Sequence, residues 1–300
     1  MILVTGATGL TGHFVVQELQ QRNDAVRVLV REGSQAKAPP NTEIVLGDLT
    51  DLVSLQRAME GVTGIVHSAC TFTDSRIDIT AMETLLDHWQ AGPFIFISSL
   101  DVYGFAKTVP ITEDHPLDES YGDYAHGKIV CERLLMEKAQ ALGRSDYAIL
   151  RAPYIWGPHP TAYARLVKAA IRNGESIVLP GADKAEWSDY QDVWTDVRDL
   201  AWVVAECLLR PPGVALNVLS GHFSWHELYA TLIDLSGSSS QLIHKPLDAI
   251  SESELPRKEI YAQRWRFSNK RLRTMLGFVP KFSLRETLQA VVKQKPADLA

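Results

Sequence analysis

Three hundred residues with 46% hydrophobic side chains can bury a full core, as one large domain or two small ones. The net charge of −6 is spread along the chain: no basic run is there to meet nucleic acid, and no stretch of about 18 apolar residues is there to span a membrane. Cys70, Cys131 and Cys207 are too scattered for a disulfide framework or a zinc site, so the expectation is reduced thiols, no metal and a cytoplasmic protein. The first strand pattern begins at Ile2, and no secretory leader is expected before it.

That strand, Ile2–Val4, runs into Thr5-Gly-Ala-Thr-Gly-Leu-Thr-Gly12 and a helix over Leu10–Gln21. Gly6 lets the chain turn off the strand, Gly9 lets the backbone approach a pyrophosphate, and Gly12 lets the helix pack close to the sheet. The free N–H groups and the dipole of the helix favour negative charge at the same place. A dinucleotide site follows, with Gly6, Thr8, Gly9, Leu10 and Gly12 at its phosphates. The next strand, Val26–Val30, ends at Arg31, about 20 residues beyond the glycines. An acid there would bind a ribose 2′-hydroxyl; an arginine favours a 2′-phosphate through charge-assisted hydrogen bonds. The expected cofactor is NADP, with NAD the alternative that Glu32 keeps open.

Strands at Ile44–Leu46, Gly64–His67, Phe94–Ser98 and Tyr147–Leu150 alternate with helices at Asp51–Glu60, Ile77–Trp89 and Tyr121–Leu142. This rhythm predicts an α/β fold, a doubly wound parallel sheet covered on both faces. Within the last helix, Tyr124-Ala-His-Gly-Lys128 places a phenol and an ammonium on one face. The ammonium favours the phenolate, which suits the pair to exchange a proton with a carbonyl or alcohol oxygen. Tyr103 and Lys107 share the spacing, but Gly104 and Pro110 make that segment a loop. Ser98 and Ser99 close a strand, where a hydroxyl meets ligands in open α/β sheets. His67 reads as a structural histidine.

After Arg151 the rhythm breaks at Pro153, Gly157, Pro158 and Pro160. A helix is expected over Ala162–Arg172, then loop through Trp187, a helix at Asp196–Leu209 and a strand at Val214–Leu219. Further helices are expected at Trp225–Leu235, Asn269–Leu276 and Leu284–Lys293. The division expected is a dinucleotide-binding domain over 1–155, rejoined by 192–220, and a substrate cap from 156–191 and 221–300.

Thr5–Gly12, Asp48, His67-Ser-Ala69, Ser99, Tyr124/Lys128, Arg151-Ala-Pro-Tyr-Ile-Trp-Gly-Pro158 and Gly277-Phe-Val-Pro280 together resemble the extended short-chain dehydrogenase/reductases, the NAD-dependent epimerase/dehydratase superfamily. The resemblance implies a Rossmann fold with a smaller α/β cap. It implies that Tyr124 is the general acid/base, that Lys128 assists it and binds the nicotinamide ribose, and that Ser99 is the catalytic serine, since it precedes Leu-Asp-Val-Tyr-Gly. It further implies Asp48 and Leu49 at the adenine, and Ser68, Ala69 and Pro153 on the path to the nicotinamide. Three positions depart from the pattern. Asp78 stands where many members have asparagine, Tyr154 where sugar-nucleotide enzymes have asparagine, and Asp192 where those enzymes have arginine for a diphosphate.

The expected function is reduction of a carbonyl, or oxidation of an alcohol, on a small and weakly charged molecule, as in the dihydroflavonol reductase and hydroxysteroid dehydrogenase branch. A nucleotide-sugar epimerase or dehydratase and a non-catalytic NAD(P) sensor are the alternatives. A carboxylate at Asp192 would repel a diphosphate, so sugar nucleotides are expected to bind weakly, with Arg165, Lys168 and Arg172 on a solvated helix face. Tyr154, Trp156, Trp187, Trp194 and Trp265 are the aromatic candidates for choosing a substrate. A homodimer is expected from the resemblance, through Leu85, Leu86 and Trp89 on one helix and Leu134, Leu135 and Lys138 on another.

Overall fold

Strands that are apolar on both faces need cover on both sides, and the computed structural model of the chain supplies it. The structure describes residues 1–295, so the last five residues of the expected cap lie outside the described residues. The first part runs β1 (Ile2–Thr5), α1 (Leu10–Gln21), β2 (Val26–Val30), β3 (Glu43–Leu46), α2 (Leu52–Met59), β4 (Gly64–His67), α3 (Ser75–Asp87), β5 (Phe94–Ser99), α4 (Asp123–Ala141) and β6 (Tyr147–Ala152). There follow β7 (Tyr154–Trp156), α5 (Pro160–Leu166), α6 (Ala169–Asn173), β8 (Ile177–Pro180), α7 (Lys184–Asp189), β9 (Gln191–Asp196) and α8 (Val197–Leu209). The chain closes with β10 (Val214–Asn217), β11 (Gly221–Ser224), α9 (Trp225–Ser236), β12 (Leu242–Lys245), α10 (Lys258–Tyr261), α11 (Lys270–Leu276) and α12 (Leu284–Val292).

Seven strands form one parallel sheet in the order β10-β6-β5-β4-β1-β2-β3. Alternation along each strand divides the core. Val4, Val66, Ile95 and Leu150 pack on one face against Val15, Val16 and Leu19 of α1 and Leu200, Val203 and Val204 of α8. Leu3, Ile65, Phe94, Phe96 and Ile149 pack on the other against Leu55 of α2, Met82 and Leu85 of α3 and Leu135 of α4. After β1 the chain leaves through β2 and β3 and returns to β4 on the opposite side of β1. That reversal opens a crevice at the carboxyl ends of the strands.

Beyond Ala152 two small sheets, β11-β9-β7 and β12-β8, build a separate layer around Trp156, Tyr163, Leu166, Trp194, Phe223 and Leu232. The helix expected over Ala162–Arg172 is two helices. Val167 leaves helical geometry at φ −83°, ψ 79°, and Lys168 starts α6, so that Leu166, Val167 and Ile171 all bury. The segment expected to be loop holds β8 and α7.

The residues expected to build a dimer are already used. Leu85, Leu86, Trp89 and Leu135 are buried in the protomer core, Leu134 packs against the same core, and Lys138 pairs with Asp87 of α3 at 2.9 Å. Leu134 and Lys138 keep part of their surface exposed.

A buried ion pair ties α4 to the sheet. Arg151 of β6 donates from Nη2 to Glu132 Oε2 at 2.6 Å and from Nε to Oε1 at 3.0 Å. Ser98 donates to Glu132 Oε1 at 2.5 Å, and Arg151 Nη1 donates to Tyr103 Oη at 2.7 Å. Tyr103 in turn donates to Asn217 Oδ1 of β10 at 2.7 Å. Removing one partner of such a pair leaves a buried charge uncompensated. Arg151→Met is expected to lower stability in urea unfolding by about 3–5 kcal/mol, with part recovered in Arg151→Met/Glu132→Met; a loss under about 1 kcal/mol would contradict this.

Candidate active site

The crevice deepens into a cavity of about 1140 Å³, and every residue expected to bind the dinucleotide or to carry the chemistry lines it. Gly6, Thr8, Gly9, Leu10 and Gly12 form one end. Gly6 has φ +73°, and a Cβ there would meet Ala69 N at 2.8 Å. A Cβ on Gly12 would come within 2.3 Å of Gly6 O. Packing of protein on protein demands these two glycines. Gly9 differs: its φ is −91°, and a Cβ would find only Gly6 O, at 3.4 Å. It is exposed and faces the cavity, at an α1 N-terminus that no side chain caps. A bare backbone beside uncapped N–H groups fits a pyrophosphate.

Asp48 and Leu49 line the next stretch. Asp48 Oδ1 accepts Thr50 N–H at 3.0 Å and Thr50 Oγ1 at 2.9 Å, which fixes the turn after β3. Arg31, at the end of β2, is exposed on the cavity rim, and its guanidinium makes no ion pair among the described residues. Lys37 lies in a short 3-10 turn, away from the lining. Ser68 donates to Thr5 O at 2.8 Å, and Ala69 N–H donates to Thr5 Oγ1 at 3.2 Å. Thr5 Oγ1 also bonds His67 Nδ1 at 2.8 Å. Burial, aided by Lys128, pushes His67 down to about 3, so it stays neutral and structural.

Ser99, Tyr124, Lys128 and Pro153 meet further along. Gly127 lets α4 close on α3, since a Cβ there would meet Ser75 Cβ at 2.7 Å, and Asp123 accepts Ser75 N–H at 2.9 Å and Oγ at 2.6 Å. This docking points the first turn of α4 into the crevice. Lys128 is buried and donates to Ile97 O at 2.9 Å, with Nζ 5.7 Å from the Tyr124 ring centroid. The Tyr124 ring stacks on Phe72 at 5.4 Å. Burial raises the Tyr124 pKa; Lys128 and the Ser99 hydroxyl pull it down, and Cys70 and Asp101 push it up. Lys128 thus acts in the expected direction, but among protein groups alone burial outweighs it. Burial also opposes the Lys128 ammonium, but Tyr124, Cys70, Cys131 and Asp78 together raise its pKa.

The two serines separate cleanly. Ser98 is committed to Glu132, and Ser99 Oγ accepts Asp101 N–H at 3.1 Å on the cavity wall. Tyr103 is buried between Arg151 and Asn217, and burial pushes its phenol up to about 12. Asp78 carries no free role either. It accepts Thr71 N–H at 2.9 Å, Thr71 Oγ1 at 3.1 Å and Cys70 Sγ at 3.3 Å, and so shapes the loop that carries Phe72.

The lining also holds Tyr154, Trp156, Trp225, Tyr261, Trp265 and Asp192, with Asp101 beside Ser99. Trp194 is buried behind Trp156, and Trp187 stacks on His226 at 3.9 Å; neither lines the cavity. Burial pushes the Asp192 carboxyl up to about 8, and no cation pairs with it among the described residues. Arg165 and Lys168 line the cavity on either side of the break at Val167; Arg165 and Arg172 are exposed, as expected, and Lys168 is half-buried. Phe72, Asp101, Tyr121, Arg257 and Tyr261 also line it and carry no spacing signal in the sequence.

A profile of the NAD dependent epimerase/dehydratase family matches residues 2–218. The chain belongs to that family. Members are NAD(P)-dependent enzymes, and this chain is one. It is 29% identical over 235 residues to a 3 beta-hydroxysteroid dehydrogenase/Delta 5-->4-isomerase of Mycobacterium tuberculosis, a match spanning 71% of this chain and 62% of that protein. Among solved structures it superposes on UDP-glucose 4-epimerase of Thermotoga maritima with a TM-score of 0.81 at 21% identity, covering 98% and 97% of the two chains. The Bordetella bronchiseptica enzyme WbmH in complex with NAD+ superposes at 0.77 and 18% identity, with coverage of 98% and 97%. These structures share the fold. No helix among the described residues is long and apolar enough to cross a membrane.

The glycines of this family member yield a test that separates folding from binding. Gly9→Val should melt with the parent and bind the dinucleotide at least about tenfold more weakly, about 1.4 kcal/mol. Gly12→Ala should lose stability, because its methyl strikes backbone. Equal cofactor affinity in Gly9→Val and the parent, by fluorescence titration, would contradict the phosphate assignment.

Proposed function

We propose that this enzyme is an NADP-dependent oxidoreductase that reduces a carbonyl, or oxidises an alcohol, on a small substrate without strong charge. The carrying observation is the convergence of Ser99, Tyr124 and Lys128 on one cavity wall. When bound, the nicotinamide supplies or accepts the hydride. Tyr124 gives its proton to the carbonyl oxygen, or takes one from the alcohol. Ser99 donates to the same oxygen and stabilises charge on it. Lys128, anchored on Ile97 O, offsets part of the burial penalty on the phenolate. Gly6, Thr8, Gly9, Leu10 and Gly12 hold the pyrophosphate, Asp48 and Leu49 the adenine, and Ser68, Ala69, Lys128 and Pro153 the nicotinamide side. Arg31, free of any carboxylate, receives the 2′-phosphate.

The hydroxysteroid dehydrogenase relative supports a carbonyl or alcohol substrate. Arg165 and Lys168 at the cavity support a second reading, a nucleotide-sugar epimerase or dehydratase. The presence of Ser99, Tyr124 and Lys128 together counts against a sensor without catalysis. The scattered free cysteines support a cytoplasmic enzyme. The family resemblance supports a homodimer, with Leu134 and Lys138 of α4 the partly exposed residues of the expected bundle.

Tyr124→Phe is expected to bind cofactor nearly as the parent does and to turn over aldehydes or ketones at least about 10²-fold more slowly. Tyr103→Phe should keep turnover and lose stability by about 1–3 kcal/mol. Equal turnover in Tyr124→Phe and the parent would defeat the assignment. NADP(H) should bind more tightly than NAD(H), with Arg31→Ala narrowing the gap; the reverse order would overturn the cofactor preference. Calorimetry on cofactor-loaded protein should show weak binding of UDP-glucose, and micromolar affinity would promote the epimerase reading.

A further inference from the structure

Asp192 is 4% exposed, and its Oδ1 accepts the Val193 N–H at 2.8 Å. Its Oδ2 is buried and has no partner among the described residues, and the residue lines the cavity. Buried polar atoms are nearly always paired, so an orphan on a cavity wall points to a ligand atom. Trp225 Nε1 and Trp265 Nε1 are orphans of the same cavity lining. The strands bring these residues together. Phe223, just before the Ser224-Trp225 corner, pairs with Asp192, and Trp265 N–H donates at 3.2 Å to the carbonyl of Gln191, the neighbour of Asp192.

An indole N–H only donates, so the occupant presents acceptors to this wall. The role of Asp192 depends on its proton. The groups that face it are Asp101, Tyr121 and Tyr154, with Arg257 acting on Asp101 and Tyr121. His222 of β11 pairs with Val193 and accepts the Phe267 N–H, and Arg264, beside Gln191, is held by Asp189. No cation pairs with Asp192 among the described residues. Burial pushes its ionisation up to about 8, the Val193 N–H pulls it down, and Asp101 adds to the rise. At neutral pH the side chain is an acid with a proton to donate.

We propose that Asp192 is a specificity-determining residue, donating a hydrogen bond from Oδ2 to an uncharged acceptor oxygen on the part of the substrate remote from the reacting carbon, with Trp225 and Trp265 donating beside it. This rests on the carbonyl-reductase reading above. The sign with pH follows. Once Asp192 ionises it has no proton to give and repels the acceptor, so recognition is present below about pH 8 and lost above it. An ammonium ligand would behave in the opposite way, binding better as the carboxylate forms.

The test uses two six-membered ring ketones, tetrahydropyran-4-one, whose ring oxygen is an uncharged acceptor, and N,N-dimethyl-4-oxopiperidinium, whose ring nitrogen is a cation at every pH. With NADPH, kcat/KM for tetrahydropyranone should fall as pH rises through about 8. Asp192→Asn keeps a donor and should flatten that limb while holding turnover within a few-fold. Asp192→Ala should raise KM about tenfold with kcat little changed, the scale of one lost hydrogen bond. If neither ketone is turned over, the reductase reading is in doubt. Calorimetric titration of tetrahydropyranone into the NADP-loaded parent and Asp192→Asn over the same pH range then decides the role of Asp192. Alkaline loss of binding in the parent alone supports it. A parallel pH dependence in both proteins, or tighter binding of the quaternary ammonium ketone that strengthens with pH, overturns it.

Discussion

The buried pair of Arg151 and Glu132 fixes where the chemistry can occur. Glu132 lies on α4 and Arg151 on β6, and their bonds hold the helix at one height on the sheet. Lys128, one turn before Glu132, is thereby brought under β5, where Ile97 O accepts its ammonium, and Tyr124, a turn earlier still, reaches the crevice. The same guanidinium reaches through Tyr103 to Asn217 of β10. Desolvating two charges is expensive, and apolar replacements are often as stable. Here the pair also ties together three elements, and it engages the Ser98 hydroxyl on Glu132, while Ser99 Oγ bonds only the Asp101 N–H among the described residues.

Burial and charge compete throughout the site. Enclosure makes Lys128 effective on Tyr124, because a charge acts strongly where water is thin. The same enclosure raises the phenol before Lys128 lowers it. At Asp192 no cation answers burial, and the carboxyl keeps its proton to about pH 8. One wall thus offers an acid for proton transfer and the other a neutral acid for recognition.

Much of this is legible in the order of the residues. The three glycines announce the phosphate end because each answers a different backbone need, and Tyr124 and Lys128 stand out because a helix aligns residues four apart. The sheet strands are mostly apolar and read clearly, with polar residues such as His67, Ser98 and Ser99 at their carboxyl ends. The cap reads less well. Four of the six residues of Gln191–Asp196 are polar although all but Gln191 are buried, and β8 is four residues ending in Pro180. The break at Val167 has no glycine or proline to mark it. Glu132 looks like one more charged helix residue until Arg151, 19 positions away, is found beside it. Asp192 reads as a carboxylate, because a sequence does not display burial.

The central claim is that Tyr124 is the acid/base of the site and that Lys128 sets its ionisation against burial. Ultraviolet difference titration of the tyrosines, with NADP+ present, measures this directly. The chain has nine tyrosines, and subtraction of a Tyr124→Phe titration isolates one. The isolated phenol should ionise at a distinctly higher pH in Lys128→Met than in the parent. An unchanged titration in a folded Lys128→Met would contradict the account.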